Sequence, residues 1–270
     1  MKSKIWIHLI LIVGAVIMVV PFFWMISTSL KTYVESVQIP PTILPSDPQF
    51  SNYLAVFESA DFFLYYINTF LMTAGRTLAQ LLLCSMAAYA FARLVFPFKN
   101  TIFILILSVL MVPMQVILIP NYALLTEFGW VDTFYALIVP GMFSAFGVFL
   151  LRQFFMGIPK ELDEAALIDG CSHWGIYWRI ILPNAKPALV ALAIFTILNS
   201  WNDFLWPLVM TNSESMRVLS VGIASFQGQY STDFPLLMAA AFLSTIPMLI
   251  MFIFLQKHLI AGISLGGVRR

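Results

Sequence analysis

Charged residues are scarce in this sequence. Of its 270 residues, 10% are Asp, Glu, Lys or Arg, whereas 61% are hydrophobic, and the mean hydropathy is +0.92. Soluble domains contain about half apolar and a quarter charged residues. The composition therefore excludes an ordinary soluble domain and indicates a protein in contact with membrane lipid. We expect no nucleic-acid partner.

Cysteine and histidine are also rare. Of the two cysteines, Cys84 falls in an apolar run and Cys171 in a polar loop, so we expect no disulfide between them and no metal or redox site. The histidines lie near predicted membrane edges without an acidic residue at metal-ligand spacing; they are His8, His173 and His258.

Two catalytic signatures are missing as well. The sequence has no glycine-rich phosphate loop of the type G-x-x-x-x-G-K-S/T, and it has no evident Ser-His-Asp set. We therefore expect no catalytic residue, no metal and no cofactor in this chain. The chain is therefore predicted not to be an enzyme.

Long apolar runs recur six times along the chain. Each has about the length that a helix needs to cross a bilayer, and a helix is required because an open strand in lipid would leave backbone groups unpaired. The sequence predicts an all-α integral membrane protein with six transmembrane helices near 5–30, 62–91, 101–125, 133–156, 187–210 and 234–255.

The amino terminus resembles the start of a signal peptide, with basic residues at Lys2 and Lys4. The apolar stretch that follows, 5–26, is too long for the core of a signal peptide, and no convincing small-residue cleavage site follows it. We therefore predict a retained first membrane helix.

Basic residues between the predicted spans set the orientation, because cytoplasmic loops are enriched in Lys and Arg. Only Lys31 and Arg217 lie in one set of alternate loops, and Arg76 lies within a span. The other set and the two ends hold the remaining eleven of the 14 basic residues, namely Lys2, Lys4, Arg93, Lys99, Arg152, Lys160, Arg179, Lys186, Lys257, Arg269 and Arg270. Both termini are therefore predicted to be cytoplasmic.

The loop 157–186 is the longest one predicted on the cytoplasmic side. Pro159 suits a first helical turn, and Gly170 suits the left-handed position that ends a helix. Ser172 is a candidate N-cap for a second helix reaching about Ile181, which Pro183 ends or kinks. Leu162, Ala165, Ala166 and Asp169 share one face of the first helix. This face suits a groove on a second protein; the alternative is an amphipathic helix on the membrane surface.

The same loop carries a family motif. Glu164-Ala165-Ala166 is followed after three residues by Gly170 and after nine more by Ile180-x-Leu182-Pro183. This pattern resembles the "EAA" loop of permeases in binding-protein-dependent ABC importers of type I, with a MetI-like transmembrane domain. The resemblance implies that these residues form coupling helices that dock on an ATPase, with Glu164 as the polar contact and Gly170 as the turn.

Further segments are similar to one branch of that family, the second permease subunit of maltose-type carbohydrate importers. They are the Pro-rich loop ending in Asn52-Tyr53, residues 199–208 and the segment 262–268, although the ending Arg269-Arg270 departs from the usual pattern. The resemblance implies a multi-pass protein of the bacterial cytoplasmic membrane that forms half of a sugar pore. Its implied partners are a second homologous permease, two ATPase subunits that hold ATP and Mg²⁺, and an extracytoplasmic solute-binding protein.

Polar residues inside the predicted spans are candidates for the translocation path, because such groups are costly in lipid and usually functional or paired. Arg76 and Asp203 are the two clear charges within the spans. The alternative is that these groups seal contacts between helices, with Arg76 and Asp203 as structural partners. Pro113, Pro120 and Pro207 are predicted to kink their helices. The candidate path residues are Arg76, Gln115, Asn199, Trp201, Asn202 and Asp203.

The sequence shows no repeat and no soluble domain. We divide it into a first helix with a Pro-rich extracytoplasmic loop (1–65), a permease core (66–260) and a cytoplasmic tail (261–270). Alternative functions are an ABC permease for a solute other than sugar, an ion-coupled secondary transporter and a membrane enzyme. An ion-coupled transporter should show mid-membrane carboxylates, and only Asp203 lies within a span.

Overall fold

The computed structural model describes residues 2–59, 61–228 and 232–267, and the side chains of 5–59, 61–228 and 232–254. Its helices are α1 (Lys2–Ser29), α2 (Tyr33–Val37), α3 (Ser51–Ser59), α4 (Phe62–Arg93), α5 (Lys99–Ser108), α6 (Met114–Glu127) and α7 (Phe134–Ile138). They continue with α8 (Ala145–Met156), α9 (Glu161–Ile168), α10 (His173–Asn184), α11 (Lys186–Trp201), α12 (Leu205–Met210), α13 (Leu219–Ala224) and α14 (Phe234–Gly267). In these ranges no strand is found, and the one bridge joins Gln227 and Thr232.

Six spans follow the order predicted from the sequence. Four segments are long and apolar enough to cross a membrane: Ile5–Ser29, Phe62–Arg93, Phe134–Met156 and Phe234–Phe254. Two bent pairs complete the set, α5 with α6 at 100° and α10 with α11 at 77°. The prediction of an all-α membrane protein is confirmed for the described residues, and four spans with two bent pairs agree with the six spans expected.

The 100° bend between α5 and α6 lies at a proline, which cannot continue the preceding helix. Pro113 precedes α6 and has an extended backbone, so the kink predicted there is confirmed, whereas Pro120 lies inside α6. In the fifth apolar run the helix ends at Trp201 and resumes at Leu205, so the interruption precedes Pro207 instead of starting at it. A further interruption at 139–144 divides the fourth span into α7 and α8 and was not predicted.

One compact unit contains the chain up to Tyr66 together with Val218–Ile250. In it, the side chains of α1 are exposed from residue 5 to residue 24, as expected for a helix in lipid. Asn52 in α3 stabilises the C-terminal end of α1. Its side-chain amide donates to the carbonyls of Ser29 and Lys31, both at 2.9 Å. The hydroxyls of Ser29 and Tyr53 are 2.7 Å apart.

The second unit contains Ile67–Arg217 and the chain after Ile250. Its main hydrophobic cluster joins α4, α8, α10 and α11 through fully buried side chains that include Cys84, Val148, Phe155, Ile181 and Leu192. Both Cys84 and Cys171 are free thiols, as predicted. This cluster supports the cavity and the loop described next, both of which lie within this unit.

Candidate translocation cavity and coupling loop

A cavity of about 680 Å³ opens within the second unit. It is formed by α4, α6, α11 and α12 and by the interruption between α7 and α8. Its polar lining residues are Arg76, Gln80, Asn121, Ser144, Thr196, Asn199, Ser200 and Asp203. The remaining lining residues are Met114, Ile117, Pro140, Gly141, Phe146, Leu192, Phe195 and Trp206. The cavity thus combines amides and hydroxyls with aromatic rings.

Arg76 and Asp203 form an ion pair in the wall of this cavity. Arg76 Nη1 donates to Asp203 Oδ2 at 2.8 Å. Arg76 is 7% exposed, and its Nε donates to the carbonyl of Leu137 at 2.7 Å. Removing either partner would leave a buried charge uncompensated, which typically costs about 3–5 kcal/mol. The pair therefore joins α4 to the gap between α11 and α12.

Side chains also satisfy the carbonyls that the interruption of the fourth span releases. Gln80 Nε2 donates to the carbonyl of Gly141 at 2.8 Å, and its own carbonyl accepts from the hydroxyl of Thr196 at 2.8 Å. The indole of Trp206 donates to the carbonyl of Ala136 at 2.9 Å. In lipid an irregular backbone is tolerated where other protein groups pair it. These side chains therefore make the interruption possible.

Glycine is needed at position 141 for close approach. A Cβ atom there would lie 2.7 Å from Nε and 2.8 Å from Cδ of Arg76. The guanidinium is held by Leu137 and Asp203 and so has little freedom to move aside. Asp203 also bonds to the first turn of α12, since its Oδ1 accepts from the backbone N–H of Trp206 at 3.4 Å.

The structure places the predicted path residues in two groups. Arg76, Asn199 and Asp203 line the cavity, whereas Gln115, Trp201 and Asn202 are not among its lining residues. The prediction omitted Asn121, Ser144, Thr196 and Ser200. A helical periodicity could have revealed part of this set, because positions 196, 199, 200 and 203 follow the spacing that aligns side chains on one helix face.

In the loop 157–186, two short helices meet at a sharp turn. Gly170 has a φ of +80°, as predicted, and Ser172 caps α10 by accepting from the N–H of Gly175 at 3.3 Å. Pro159 was expected in the first turn, but α9 begins at Glu161 with Lys160 as its cap. The second helix continues past Ile181, with π-helical turns over Tyr177–Ile181, and ends at Asn184, where a 77° bend follows Pro183 closely, as predicted.

The residues of the motif differ in exposure. Glu164, Ala165, Gly170 and Pro183 are exposed, whereas Ile180 and Leu182 are half-buried. Ala166 was expected to lie on the outer face with Ala165, but it is 6% exposed and belongs to the hydrophobic cluster. The helical rotation between consecutive residues turns Ala166 inward. The expected direct contact of Ala166 with a partner is therefore corrected to a packing role.

An ion pair holds α9 to the end of α4. Arg93 Nε lies 2.9 Å from Asp163 Oδ2, and Arg93 Nη2 donates to the carbonyl of Ile158 at 2.7 Å. Burial raises the pKa of Asp163, and the positive charge of Arg93 opposes that shift. From the sequence, Arg93 was identified only as a basic residue at the end of a predicted span. Its role as an anchor depends on a contact 70 residues away in sequence.

Two hydroxyl contacts anchor α10 to α4. The hydroxyls of Tyr177 and Ser85 are 2.7 Å apart, and the hydroxyl of Tyr89 is 3.3 Å from Nδ1 of His173. Together with the Arg93–Asp163 pair, these contacts connect the loop to the helix that also carries Arg76. A displacement of the loop therefore has a direct physical route into α4.

Comparisons with known proteins agree over nearly the whole chain. A family model described as "Binding-protein-dependent transport system inner membrane component" matches residues 80–265. The arabinooligosaccharides transport system permease protein AraQ of Halalkalibacterium halodurans is 36% identical, over 94% of this chain and 92% of the relative. The sn-glycerol-3-phosphate transport system permease protein UgpE of Yersinia enterocolitica is 32% identical, over 96% of this chain and 95% of the relative.

A solved structure shares the fold. It is a chain of a bacterial ABC transporter involved in the import of the acidic polysaccharide alginate, with a TM-score of 0.84 and 23% identity. The match covers 95% of this chain and 96% of the other. The fold of the six helices is thus one already found in ABC importers.

Proposed function

Because the chain belongs to the family of binding-protein-dependent transport system inner membrane components, we propose that it forms half of a heterodimeric pore for a sugar or oligosaccharide. The observation that supports a sugar is the whole-length similarity to carbohydrate permeases. Besides the AraQ relative, the diacetylchitobiose uptake system permease protein NgcG of Streptomyces coelicolor is 32% identical over 97% of this chain. The protein is a multi-pass component of the bacterial inner membrane.

The lining of the cavity suits a saccharide. Amide and hydroxyl groups can exchange hydrogen bonds with sugar hydroxyls, and aromatic rings can pack on the apolar faces of a sugar ring. Phe146 and Phe195 form an edge-to-face pair with ring centroids 5.7 Å apart, and both rings are partly exposed. We propose that the cavity is this subunit's share of the translocation path.

The loop 157–186 is proposed to couple this subunit to an ATPase. Its exposed surface combines the carboxylate of Glu164 with the apolar side chains of Leu167 and Ile168, which are 48% and 87% exposed. A short helix with such a surface can seat in a groove of a partner. Two ATPase subunits would supply ATP, Mg²⁺ and hydrolysis, and a second permease and an extracytoplasmic binding protein would complete the importer.

The orientation follows from the charge of the loops. We propose that both termini and the loop 157–186 are cytoplasmic, because the basic residues concentrate on that side. The ATPase and the coupling loop then share a compartment, as the proposed coupling requires.

A second candidate is an ABC permease for a solute other than sugar, which the similarity to UgpE favours. An ion-coupled transporter is a poorer fit, since the intramembrane carboxylate of Asp203 is paired with Arg76.

The test is uptake by native membranes that carry a tagged form of the chain. An ATP-hydrolysing subunit should copurify with it, and uptake of arabinopentaose should exceed that of sn-glycerol-3-phosphate. Glu164→Lys should weaken copurification and uptake, because it reverses a charge at the proposed docking surface. Glu161→Lys is the matched control, since it makes the same reversal at an exposed position three residues earlier. Normal copurification and uptake with Glu164→Lys would contradict the coupling role.

A further inference from the structure

The charges in the cavity wall cancel one another. Among the lining residues that the structure describes, Arg76 and Asp203 are the ionisable ones, and they are paired at 2.8 Å. The other polar lining residues are amides and hydroxyls, which are neutral donors and acceptors. The wall therefore has no net charge, although it contains an arginine.

The guanidinium of Arg76 donates its hydrogen bonds to groups of the protein itself. Its Nη1 donates to Asp203 and its Nε donates to Leu137, and the backbone of Gly141 lies against its side chain. Turning it toward an anionic solute would break the ion pair and leave the Leu137 carbonyl unpaired in the span. Both losses are costly at membrane depth. Arg76 is thus unsuited to binding a solute carboxylate or phosphate.

An anion would also meet an unfavourable field. Entering the cavity would strip water from its charge without providing a free cation in return, and burying an unpaired charge is strongly unfavourable. The Asp203 carboxylate would add repulsion. A neutral saccharide avoids both costs, because the amide of Asn199 and the hydroxyls of Ser144 and Ser200 can hydrogen-bond to its hydroxyl groups.

We propose that this cavity selects uncharged saccharides over sugar acids and sugar phosphates, and that the Arg76–Asp203 pair sets this preference. The inference rests on the proposed function, since it assumes that the cavity lies on the path of a sugar. Asp203 is then a specificity-determining residue, because its carboxylate neutralises Arg76, which would otherwise attract anions into the cavity.

The experiment measures binding to the assembled importer without its solute-binding protein, so that the selectivity of that protein does not contribute. The importer is purified in lipid nanodiscs, and radiolabelled arabinopentaose, a pentameric oligogalacturonate and sn-glycerol-3-phosphate are compared by equilibrium dialysis. We expect the neutral sugar to bind at least about tenfold more tightly than the galacturonate. Even one carboxylate that meets no free cation in the cavity should cost that much in affinity.

The diagnostic variant is Asp203→Asn. It keeps the size of the side chain and one oxygen, which can accept from Arg76 or from the N–H of Trp206, but it leaves the wall with one positive charge. The preference for arabinopentaose should shrink by about tenfold through tighter binding of the galacturonate. The control is Asp132→Asn, which removes an acidic group that accepts from the N–H groups of Asn212 and Ser213 and does not line the cavity; it should leave the preference unchanged.

The outcomes separate the inference from the proposed function. Equal or tighter binding of oligogalacturonate by the unaltered importer would overturn the inference and leave a sugar importer in place. An unchanged preference in Asp203→Asn would overturn the role of the ion pair. If sn-glycerol-3-phosphate bound and neither saccharide did, the proposed function itself would fail. Should Asp203→Asn fail to assemble, the preference of the unaltered importer still decides whether the cavity selects neutral sugars.

Discussion

The interrupted fourth span in the cavity wall and the loop 157–186 both contain a break in helical structure, but the two breaks are stabilised differently. In the wall, the carbonyls of Ala136, Leu137 and Gly141 are paired by side chains from α4 and α12, which lie about 60 to 70 residues away in sequence. In the loop, the turn depends on the left-handed Gly170 and on the hydroxyl of Ser172, which accepts from a backbone group three residues later. Lipid supplies no hydrogen bonds, so the wall needs distant partners. The turn in the loop can use hydrogen-bond partners that are close in sequence.

Removal of Arg76 should cause the largest loss of stability in the cavity wall. Arg76→Met should lower the free energy of unfolding by about 3–5 kcal/mol, because it removes the cation that neutralises the Asp203 carboxylate and the donor to the carbonyl of Leu137. A double-mutant cycle with Asp203→Leu, measured by thermal unfolding in detergent, should give a coupling energy well above the roughly 0.3–0.5 kcal/mol of independent sites.

The double variant should recover part of the stability, since it removes both charges together. Additive effects of the single substitutions would instead assign the two residues to separate functions. Arg76→Lys serves as the control for charge, because it keeps a cation but lacks the nitrogen that bonds to Leu137.

A smaller change in the same wall is Gly141→Ala. The added methyl group would overlap Arg76 and displace it from Asp203, at a cost of about 1–3 kcal/mol for overpacking. Thermal unfolding should show the loss. Gly14→Ala is the matched control, because a Cβ there meets nothing within 4 Å. Equal stabilities of the two variants would mean that Arg76 moves aside freely.

The loop offers a pair of neighbouring alanines with opposite environments. Ala166→Leu should destabilise the protein by about 1–3 kcal/mol, because Ala166 is packed in the cluster with Phe155 and Ile181. Ala165→Leu should leave unfolding unchanged, since Ala165 is exposed, and should instead reduce copurification of the ATPase. The reverse result would show that the outer face of α9 has been assigned wrongly.

Among the substitutions expected to lower stability, Gly170→Val should have the smallest effect. No atom lies within 4 Å of a Cβ at this position, so the cost comes from the backbone alone, about 1–2 kcal/mol for a left-handed residue with a side chain. Uptake should nevertheless be lost, because the turn directs α10. Gly170→Asn should retain most uptake, since Asn tolerates this conformation. Normal insertion and normal uptake with Gly170→Val would exclude a coupling function for the turn.

Local patterns predicted much of this molecule correctly. The six apolar runs, the positive φ of Gly170, the N-cap at Ser172 and the kink at Pro113 each depend on residues within about one helical turn or one span. Arg76 and Asp203 could be singled out because charges are rare in spans. The interruption at 139–144 was not predicted, because Pro140 lies in an apolar run whose composition is that of a continuous span.

The sequence was enough to predict a membrane protein with six apolar spans and a structured loop at 157–186, because lipid forces long apolar segments into helices whose hydrogen bonds are local. Three features became visible only once the chain was folded: the set of polar residues that share a cavity, the pairing of Arg76 with Asp203 across 127 residues of sequence, and the inward position of Ala166 beside the exposed Ala165. These features depend on how helices pack side by side. The spacing of residues along one helix limits that packing but does not specify it.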